Sequence, residues 1–210
     1  MATTPQSSSR SPEPEPAWDV ALLFPSQGDW SENDYLALDT NQLVELVNGN
    51  LEVLPMPTIP HQLIVTFLFD ILNKFVSERR LGSVLFAPLP MRIRDKTYRE
   101  PDVIFFSKEQ MIPPENHYLQ GANLVIEIVS EDDESHKRDY IDKRSDYAQL
   151  GIPEYWIVDP QAERITVLGL DGKQYRLHGE FAPEQQATSV LLDGFAVDVS
   201  AVFAAGKSLS

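Results

Sequence analysis

A series of apolar segments between residues 61 and 159 constrains the fold more than any other feature of the chain. Residues 61–80 have the apolar period of an α-helix, and Gly82 stands where a helix-ending glycine is expected. Strand candidates SVLFAP, MRIRD, DVIFF and NLVIEIVS follow, then a charged helix at 136–150 and the buried strand EYWIVD. This order predicts an α/β fold with a mixed sheet flanked by helices.

Antiparallel hairpins are predicted on both sides of this central region. LVELVNGNLEVLP carries apolar alternation around Asn48-Gly49, a strong hairpin signal, and SENDYLALD before it predicts a short helix capped by Ser31. RITVLGLDGKQYRLH places Asp171-Gly172 at a second hairpin turn, and TSVLLDGFAVDVSAVF supplies a further strand and a terminal helical turn. The sheet therefore gains antiparallel additions at both ends.

The chain length of 210 residues suits one domain, which we place at 19–205. Residues 1–18 are rich in Pro, Ser and Thr and nearly free of large apolar side chains. Such a segment buries too little surface to offset its ordering entropy, so we predict a disordered tail there. Residues 206–210 are predicted to form a disordered end.

The net charge of −15 bears on whether the protein can bind nucleic acid. An acidic chain repels nucleic acid on balance, although a local site containing a metal ion can still bind it.

We expect no membrane segment, because no apolar run approaches the roughly 20 residues that span a bilayer. The start of the chain lacks the pattern of a secretory signal and there are no cysteines, so we expect a cytoplasmic protein.

Two acids stand in apolar strands, Asp102 at the head of DVIFF and Glu127 inside LVIEIV. Alone, Asp102 could cap a turn and Glu127 could face solvent. Buried carboxylates need compensation, and adjacent strands would bring these two together, where they repel each other unless a proton or a cation intervenes. A hard divalent cation such as Mg²⁺ suits such a pair. Glu100 alternates to the opposite strand face from its immediate neighbours and has no matching partner, so we set it aside.

These residues resemble a known group of nucleases. Pro101-Asp102 followed by Glu127 on the next strand is similar to the PD-(D/E)xK nuclease superfamily, whose lysine stands two positions after the second acid; here that position is Val129. More narrowly, the chain resembles the Uma-two family of restriction-endonuclease-like proteins. The segments that carry this resemblance are LVELVNGNLEVLP, EPDVIFF, LVIEIVS and DYIDKRSDYAQLGIPEYWIVDP. The resemblance spans roughly residues 29–204.

The resemblance implies a restriction-endonuclease-like fold and a metal site. Asp102, Glu127 and the carbonyl of Ile128 would hold Mg²⁺ or Mn²⁺, and Lys143, from the following helix, would replace the missing strand lysine. Asp139, Lys143 and Tyr147 are spaced by four residues and share a helix face. A helical projection places Arg144 nearer the apolar stripe, so Arg144 is the alternative cation, and Lys143 could instead form a solvated pair with Asp139.

Glu45 and His61 also match positions of the family. Glu45 would add a third carboxylate from the first hairpin, or it is a plain exposed strand residue. His61 would contact a phosphate or the waters of the metal, or it takes part in hydrogen bonding at the helix start. Arg92, Arg94 and Lys96 alternate on one strand and could form a phosphate track, or they pair with acids.

Three hypotheses of function follow. The first is a Mg²⁺-dependent endonuclease that hydrolyses nucleic-acid phosphodiester bonds, with DNA as the expected substrate and a homodimer as the expected assembly. The second is a binding or assembly module that keeps the nuclease fold without turnover. The third is a generic acidic α/β protein whose two acids face solvent.

Overall fold

The computed structural model describes residues 24–110 and 117–207. The predicted tail at 1–18 and most of the predicted end at 206–210 lie outside these ranges, although the last helix extends to Lys207, past the predicted boundary at 205. The helices are α1 (Glu32–Leu36), α2 (Ile59–Arg79), α3 (Asp133–Lys137), α4 (Lys143–Leu150) and α5 (Val199–Lys207), with a π-helical turn at Arg138–Asp142. The strands are β1 (Val44–Val47), β2 (Asn50–Val53), β3 (Gly82–Phe86), β4 (Met91–Arg94), β5 (Thr97–Arg99), β6 (Val103–Ser107), β7 (Leu124–Ile128), β8 (Glu154–Asp159), β9 (Arg164–Asp171), β10 (Gln174–Phe181), β11 (Gln186–Thr188) and β12 (Ala196–Asp198).

A six-stranded mixed sheet forms the centre of the fold, in the order β10-β9-β8-β7-β6-β3. β7 and β8 pair in parallel and the other neighbours are antiparallel. Leu124 and Ile126 point to the face covered by α2 and α5, whereas Val125 and Val129 point to the face covered by α4. Burial on both faces explains why β7 reads as a continuous apolar run. The predicted mixed sheet flanked by helices is confirmed.

The register of β6 and β7 explains why two separate sequence acids meet. Val103 pairs with Ile126 in an antiparallel ladder, and the same register continued by one residue sets Asp102 opposite Glu127. Residues that face each other across an antiparallel pair project to the same side of the sheet. Both acids therefore lie on the side of α4.

A second sheet of four strands, in the order β2-β1-β5-β4, contains the predicted first hairpin. The hairpin turns at Asn48 and Gly49, both with positive φ, and the capping box of Ser31 and Asp34 is present. Strand β5 was not predicted. It is short and reached through a tight turn in which Lys96 has a φ of 50°, so no apolar alternation marks it in the sequence.

Helix ends and helix register differ from expectation in two places. The left-handed residue that ends α2 is Arg80, with a φ of 54°, while Gly82 begins β3, so the expected glycine cap is wrong. The charged helix begins at Asp133, before the expected 136, and is widened by the π-helical turn. Such a turn accommodates an extra residue and changes which side chains face the sheet beyond it.

α2 is, within the described residues, the helix whose length and mean hydropathy (1.2) would also suit a membrane span. Ile64, Leu68 and Leu72 on one of its faces pack in the same apolar cluster as the central strands. Core helices of globular domains pass the same test of length and composition. The apolar face of α2 is accounted for by packing on the sheet.

Glu154 is buried at the start of β8 and anchors the loop before β12. Its Oε2 accepts hydrogen bonds from the hydroxyl of Ser189 (2.8 Å) and the amides of Val190 (3.0 Å) and Leu191 (2.6 Å), and its Oε1 accepts one from Trp156 (2.5 Å). A carboxylate can accept all four, whereas an amide must turn its NH₂ toward some of these donors.

We expect Glu154→Gln to lower the free energy of unfolding by about 3 kcal/mol, because hydrogen bonds to a charged group are lost and buried donors are left unpaired. Urea denaturation measures this. The matched control is Glu78→Gln, an exposed position on α2, where the change should stay within about 0.5 kcal/mol. Equal stabilities of the two variants would contradict the anchoring role.

Candidate active site

A cavity of about 270 Å³ opens where β7 ends, between the first hairpin, α2 and the π-helical turn. Its wall combines charged groups with an apolar rim that includes Pro55, Met56 and Pro88. The polar and charged lining residues on which the site depends are His61, Glu100, Asp102, Glu127, Ile128 (through its backbone), Arg138, Asp139 and Lys143.

Asp102 is fixed at the mouth of the cavity by a bond between strands. It immediately precedes β6, and its Oδ2 accepts a hydrogen bond from the amide of Ile128 at 2.7 Å. Its side chain is 17% exposed. The bond holds a carboxylate that lines the cavity beside the end of β7, and it joins Asp102 to the neighbouring strand and not to its own turn.

Glu127 is buried on the same side of the sheet. Its Oε1 accepts a hydrogen bond from the hydroxyl of Tyr147 at 2.5 Å, and its Oε2 lies 2.9 Å from the Nζ of Lys143. Burial, with the neighbouring carboxylates of Asp102 and Asp139, raises the pKa of Glu127. Glu127 is 2% exposed, so the hypothesis of a solvent-facing Glu127 is wrong.

Lys143 is buried among three carboxylates. Its Nζ lies 2.9 Å from Glu127, 3.5 Å from Glu45 and 3.6 Å from Asp139. Burial acts against the charged form, but these carboxylates raise the pKa of Lys143 above its usual range. The hypothesis of a solvated Asp139–Lys143 pair is therefore wrong.

Arg144, the alternative cation, lies outside this cluster. Its guanidinium donates to the carbonyl of Tyr175 at 3.2 Å, away from the cavity. The projection that favoured Arg144 assumed an unbroken α-helix, whereas the π-helical turn at Arg138–Asp142 precedes it. That turn alters the helical register, so Lys143 and not its neighbour points at Glu127.

Glu45 reaches the cluster from β1 and is fully buried, so the alternative of an exposed strand residue is wrong. Its Oε1 accepts from the amide of Glu100 (2.9 Å) and its Oε2 from Arg99 (2.8 Å). Although burial opposes it, the charges of Lys143 and Arg99 lower the pKa of Glu45 to about 2. Glu45 is thus an ionised residue that holds Lys143 from the side of the second sheet.

Arg99 joins the second sheet to α4, a role that was not predicted from the sequence. Its Nε donates to the Oδ2 of Asp146 at 2.9 Å while another nitrogen binds Glu45. It is 2% exposed, and Asp146 also accepts a bond from Arg94 at 2.6 Å. No local signal identifies Arg99 or Asp146, because their partners lie about fifty positions away in the chain.

His61 lies in the first turn of α2, and its ring reaches the mouth of the cavity. Its Nε2 is 3.2 Å from the carbonyl oxygen of Ile128 and 3.4 Å from the Oδ2 of Asp102. Although burial opposes it, the contact with Asp102 raises the pKa of His61. The amide of His61 also donates to the hydroxyl of Thr58 at 3.3 Å, which is the helix-start hydrogen bond expected as the alternative role.

Glu100 lines the cavity as well, and setting it aside was wrong. Its Oε1 accepts a hydrogen bond from the hydroxyl of Tyr35 at 3.2 Å. Burial and the nearby carboxylate of Glu45 raise the pKa of Glu100 to about 7. The residue adds another acid to the wall.

The expected phosphate track is not formed. Arg92 pairs with Glu32 (2.8 Å) and Arg94 with Asp146 (2.6 Å), while Lys96 lies in the turn after β4 and not on the strand. Arg92 and Arg94 pair with acids, which is the alternative that the sequence left open for them.

The donor atoms at the cavity fit a hard divalent cation. Asp102, Glu127 and the carbonyl of Ile128 offer oxygen ligands, and Mg²⁺ typically takes one or two carboxylates and completes its shell with waters. Asp139 Oδ1 is buried and has no hydrogen-bond partner in the described part of the chain, although Lys143 (3.6 Å) and Arg138 (3.7 Å) lie within ion-pair distance of it. Across residues 24–110 and 117–207, no three acidic or histidine side chains converge as a metal cage, so much of the coordination would come from water and substrate.

Comparison with known proteins finds a matching family and a similar solved structure. A family model described as "Putative restriction endonuclease", Uma2, matches residues 32–200. A crystal structure titled as a "putative nuclease belonging to DUF820" from Anabaena variabilis matches with a TM-score of 0.72 and 19% identity. The match covers 84% of this chain and 98% of that one, and at this identity it shows the shared fold. None of the curated proteins matches the chain.

The family model spans most of the chain and includes every acid and the lysine of the cavity. Each of the sequence segments quoted for this resemblance supplies residues to the cavity lining, among them Leu54, Asp102, Glu127 and Lys143. The chain therefore belongs to the Uma2 (Uma-two) family.

Proposed function

We propose that the protein is a Mg²⁺- or Mn²⁺-dependent endonuclease that hydrolyses phosphodiester bonds in nucleic acid, with DNA as the substrate. The observation that carries this proposal is the ammonium of Lys143, 2.9 Å from Glu127, in a cavity that Asp102 also lines. A lysine delivered from a helix supplies the charge that Val129 cannot supply from the strand. Membership of a family of nucleases supports the same reaction.

Asp102, Glu127 and the carbonyl of Ile128 would hold the metal ion. When bound, a divalent cation lowers the pKa of a coordinated water and polarises a phosphoryl oxygen. The short contact between the Asp102 carboxylate and the Ile128 amide fixes two of these ligands relative to each other before any cation binds. That fixed arrangement lowers the cost of reorganisation when the reaction begins.

The chain's own residues place positive charge beside the phosphate. Lys143 lies next to Glu127. From there its ammonium would stabilise the negative charge that develops on the phosphoryl oxygens during hydrolysis. Glu45 and Asp139 hold the ammonium on its other sides, and Tyr147 holds the carboxylate of Glu127. His61 adds a hydrogen-bonding group at the cavity mouth, within reach of a phosphate or of a water.

We also propose a cytoplasmic homodimer, in which two such sites would address the two strands of a duplex. The lack of cysteines is compatible with a reducing compartment. The acidic net charge disfavours nonspecific binding of nucleic acid, so the site itself must supply the affinity for substrate.

The test of the proposed function is Asp102→Asn. We expect purified protein to cleave DNA in the presence of Mg²⁺ or Mn²⁺, and the variant to be slower by at least about a hundredfold, because a carboxylate ligand is lost. Gel assays of DNA and RNA substrates measure cleavage, and circular dichroism checks the fold. Asp142→Asn, an exposed aspartate of the π-helical turn, is the matched control and should cleave as the unaltered protein does.

Calorimetry separates an enzyme from a non-catalytic module with the same fold. Mn²⁺ binding that disappears in both Asp102→Asn and Glu127→Gln supports the metal site. A protein that cuts no DNA or RNA and binds no Mn²⁺ contradicts the proposed function, and so does undiminished cleavage by Asp102→Asn.

A further inference from the structure

The charges around the cavity are unbalanced. Glu100, Asp102, Glu127 and Asp139 line it, whereas the Lys and Arg residues in its described lining are Arg138 and Lys143. The ammonium of Lys143 is shared among three carboxylates, including Glu45 behind the wall. Its charge is already compensated within the protein, so Lys143 contributes little net attraction for an incoming polyanion.

Arg138 is in a different situation. It opens the π-helical turn, and one terminal nitrogen donates to the hydroxyl of Ser135 at 2.7 Å. Ser135 in turn is fixed by Asp132, which accepts from its hydroxyl (2.6 Å) and its amide (2.7 Å). The guanidinium is thereby held in one orientation at the wall of the cavity.

The guanidinium retains capacity for another ligand. Its Nε has no hydrogen-bond partner within the described residues, and the nearest carboxylate oxygen recorded for it, Asp139 Oδ1, is 3.7 Å away. That Asp139 oxygen also has no hydrogen-bond partner there, so Arg138 and Asp139 form an ion pair without a hydrogen bond. A guanidinium has five N–H donors, and Ser135 accepts from one of its nitrogens.

We propose that Arg138 binds a phosphate group of the nucleic-acid substrate in this cavity. The inference rests on the proposed function, since it names a residue that contacts the substrate of that reaction. The planar fork of a guanidinium matches the spacing of two phosphate oxygens better than an ammonium does. The site would thus divide its two cations, with Lys143 held against the acids and Arg138 available to the substrate.

Binding is best tested without turnover. Fluorescence anisotropy with a short labelled DNA oligonucleotide, single-stranded and duplex, in Ca²⁺ measures affinity over a range of salt concentrations. For Arg138→Gln we expect affinity to fall about tenfold and the slope of log K against log salt to become shallower by roughly 0.7–0.9, the value for one lost phosphate contact. Arg138→Lys should keep most of the salt slope but recover only part of the affinity.

The matched control is Lys137→Gln, which removes the same charge from the adjacent exposed position outside the cavity lining. It should change affinity less than about twofold, as expected for a screened surface charge. Thermal melts of both variants detect any loss of the helix start through Ser135, a structural effect that would leave the salt slope of the folded protein unchanged.

The outcomes distinguish this inference from the proposed function. Equal affinity and salt slope for Arg138→Gln and Lys137→Gln overturn the inference even if the protein cleaves DNA, and so does a failure of the unaltered protein to bind either oligonucleotide. Binding that depends on Arg138 in a protein that cleaves nothing supports the inference while contradicting hydrolysis.

Discussion

Replacing Lys143 by methionine should both stop cleavage and destabilise the fold. Glu127, Glu45 and Asp139 would be left as buried carboxylates without the ammonium that now lies between them. Removing one partner from a buried charge cluster typically costs about 3–5 kcal/mol, because the remaining charges stay desolvated. The loss of positive charge beside the phosphate should lower the cleavage rate by about 10³-fold.

The destabilisation should depend on pH in a defined direction. In the unaltered protein the pKa of Glu45 is lowered to about 2 from an ordinary value of 4.5. A carboxylate with a lowered pKa contributes stability above its unfolded pKa, and the contribution is lost as the pH falls from about 4.5 to about 2. The difference in stability between the two proteins should therefore be large at pH 7 and should narrow across that acid range.

Urea denaturation at several pH values and cleavage assays measure the two effects. Lys137→Met, an exposed lysine near the same helix, is the matched control and should change neither by much. Lys143→Arg separates charge from shape, because it keeps the charge but requires more room in a buried cluster. A Lys143→Met protein as stable as the control at pH 7 would contradict a stabilising role for the ion pairs of Lys143 with the three carboxylates.

Arg99→Met should have an effect of similar size on stability, from a different cause. Arg99 connects Glu45 on β1 with Asp146 on α4, and so joins the second sheet to the helix that carries Lys143. Its loss leaves two buried carboxylates with less compensation, for which we expect a cost of about 3–5 kcal/mol. Cleavage should also fall, because Glu45 no longer holds one side of Lys143 in a fixed position.

A double variant distinguishes loss of pairing from loss of packing. Arg99→Met combined with Glu45→Gln removes opposite charges together, and we expect it to be more stable than the sum of the two single changes predicts. Lys74→Met, exposed on α2, is the control for replacing a cation by methionine. Strict additivity in urea denaturation would show that Arg99 and Glu45 do not interact as the structure indicates.

The central sheet and its two acids were predictable because their signals are local. DVIFF and LVIEIV each place one acid among apolar residues, and consecutive antiparallel strands put Asp102 opposite Glu127. The hairpin at Asn48-Gly49 was predictable for the same reason, since two adjacent residues with positive φ determine its turn. In these places neighbouring residues specify the backbone.

The remaining parts of the site depend on contacts between distant segments. The partners of Arg99 lie on β1 and α4, and no spacing within the sequence relates them. Glu100 was set aside for want of a matching partner, but it contacts Tyr35 and Glu45, which lie far away in the sequence. The choice between Lys143 and Arg144 required the π-helical turn, which apolar periodicity did not reveal.

The origin of the site charges in separate elements has a consequence for folding. Glu45, Asp102, Glu127 and Lys143 come from the first hairpin, two central strands and a helix, which must find one another across long sequence separations. Contacts of this kind form late, because the chain must lose the entropy of closing long loops before the contacts can stabilise it. A partly folded chain, including one still emerging from the ribosome, therefore lacks the complete set of charges, and any chemistry at this cavity must wait until the whole domain has folded.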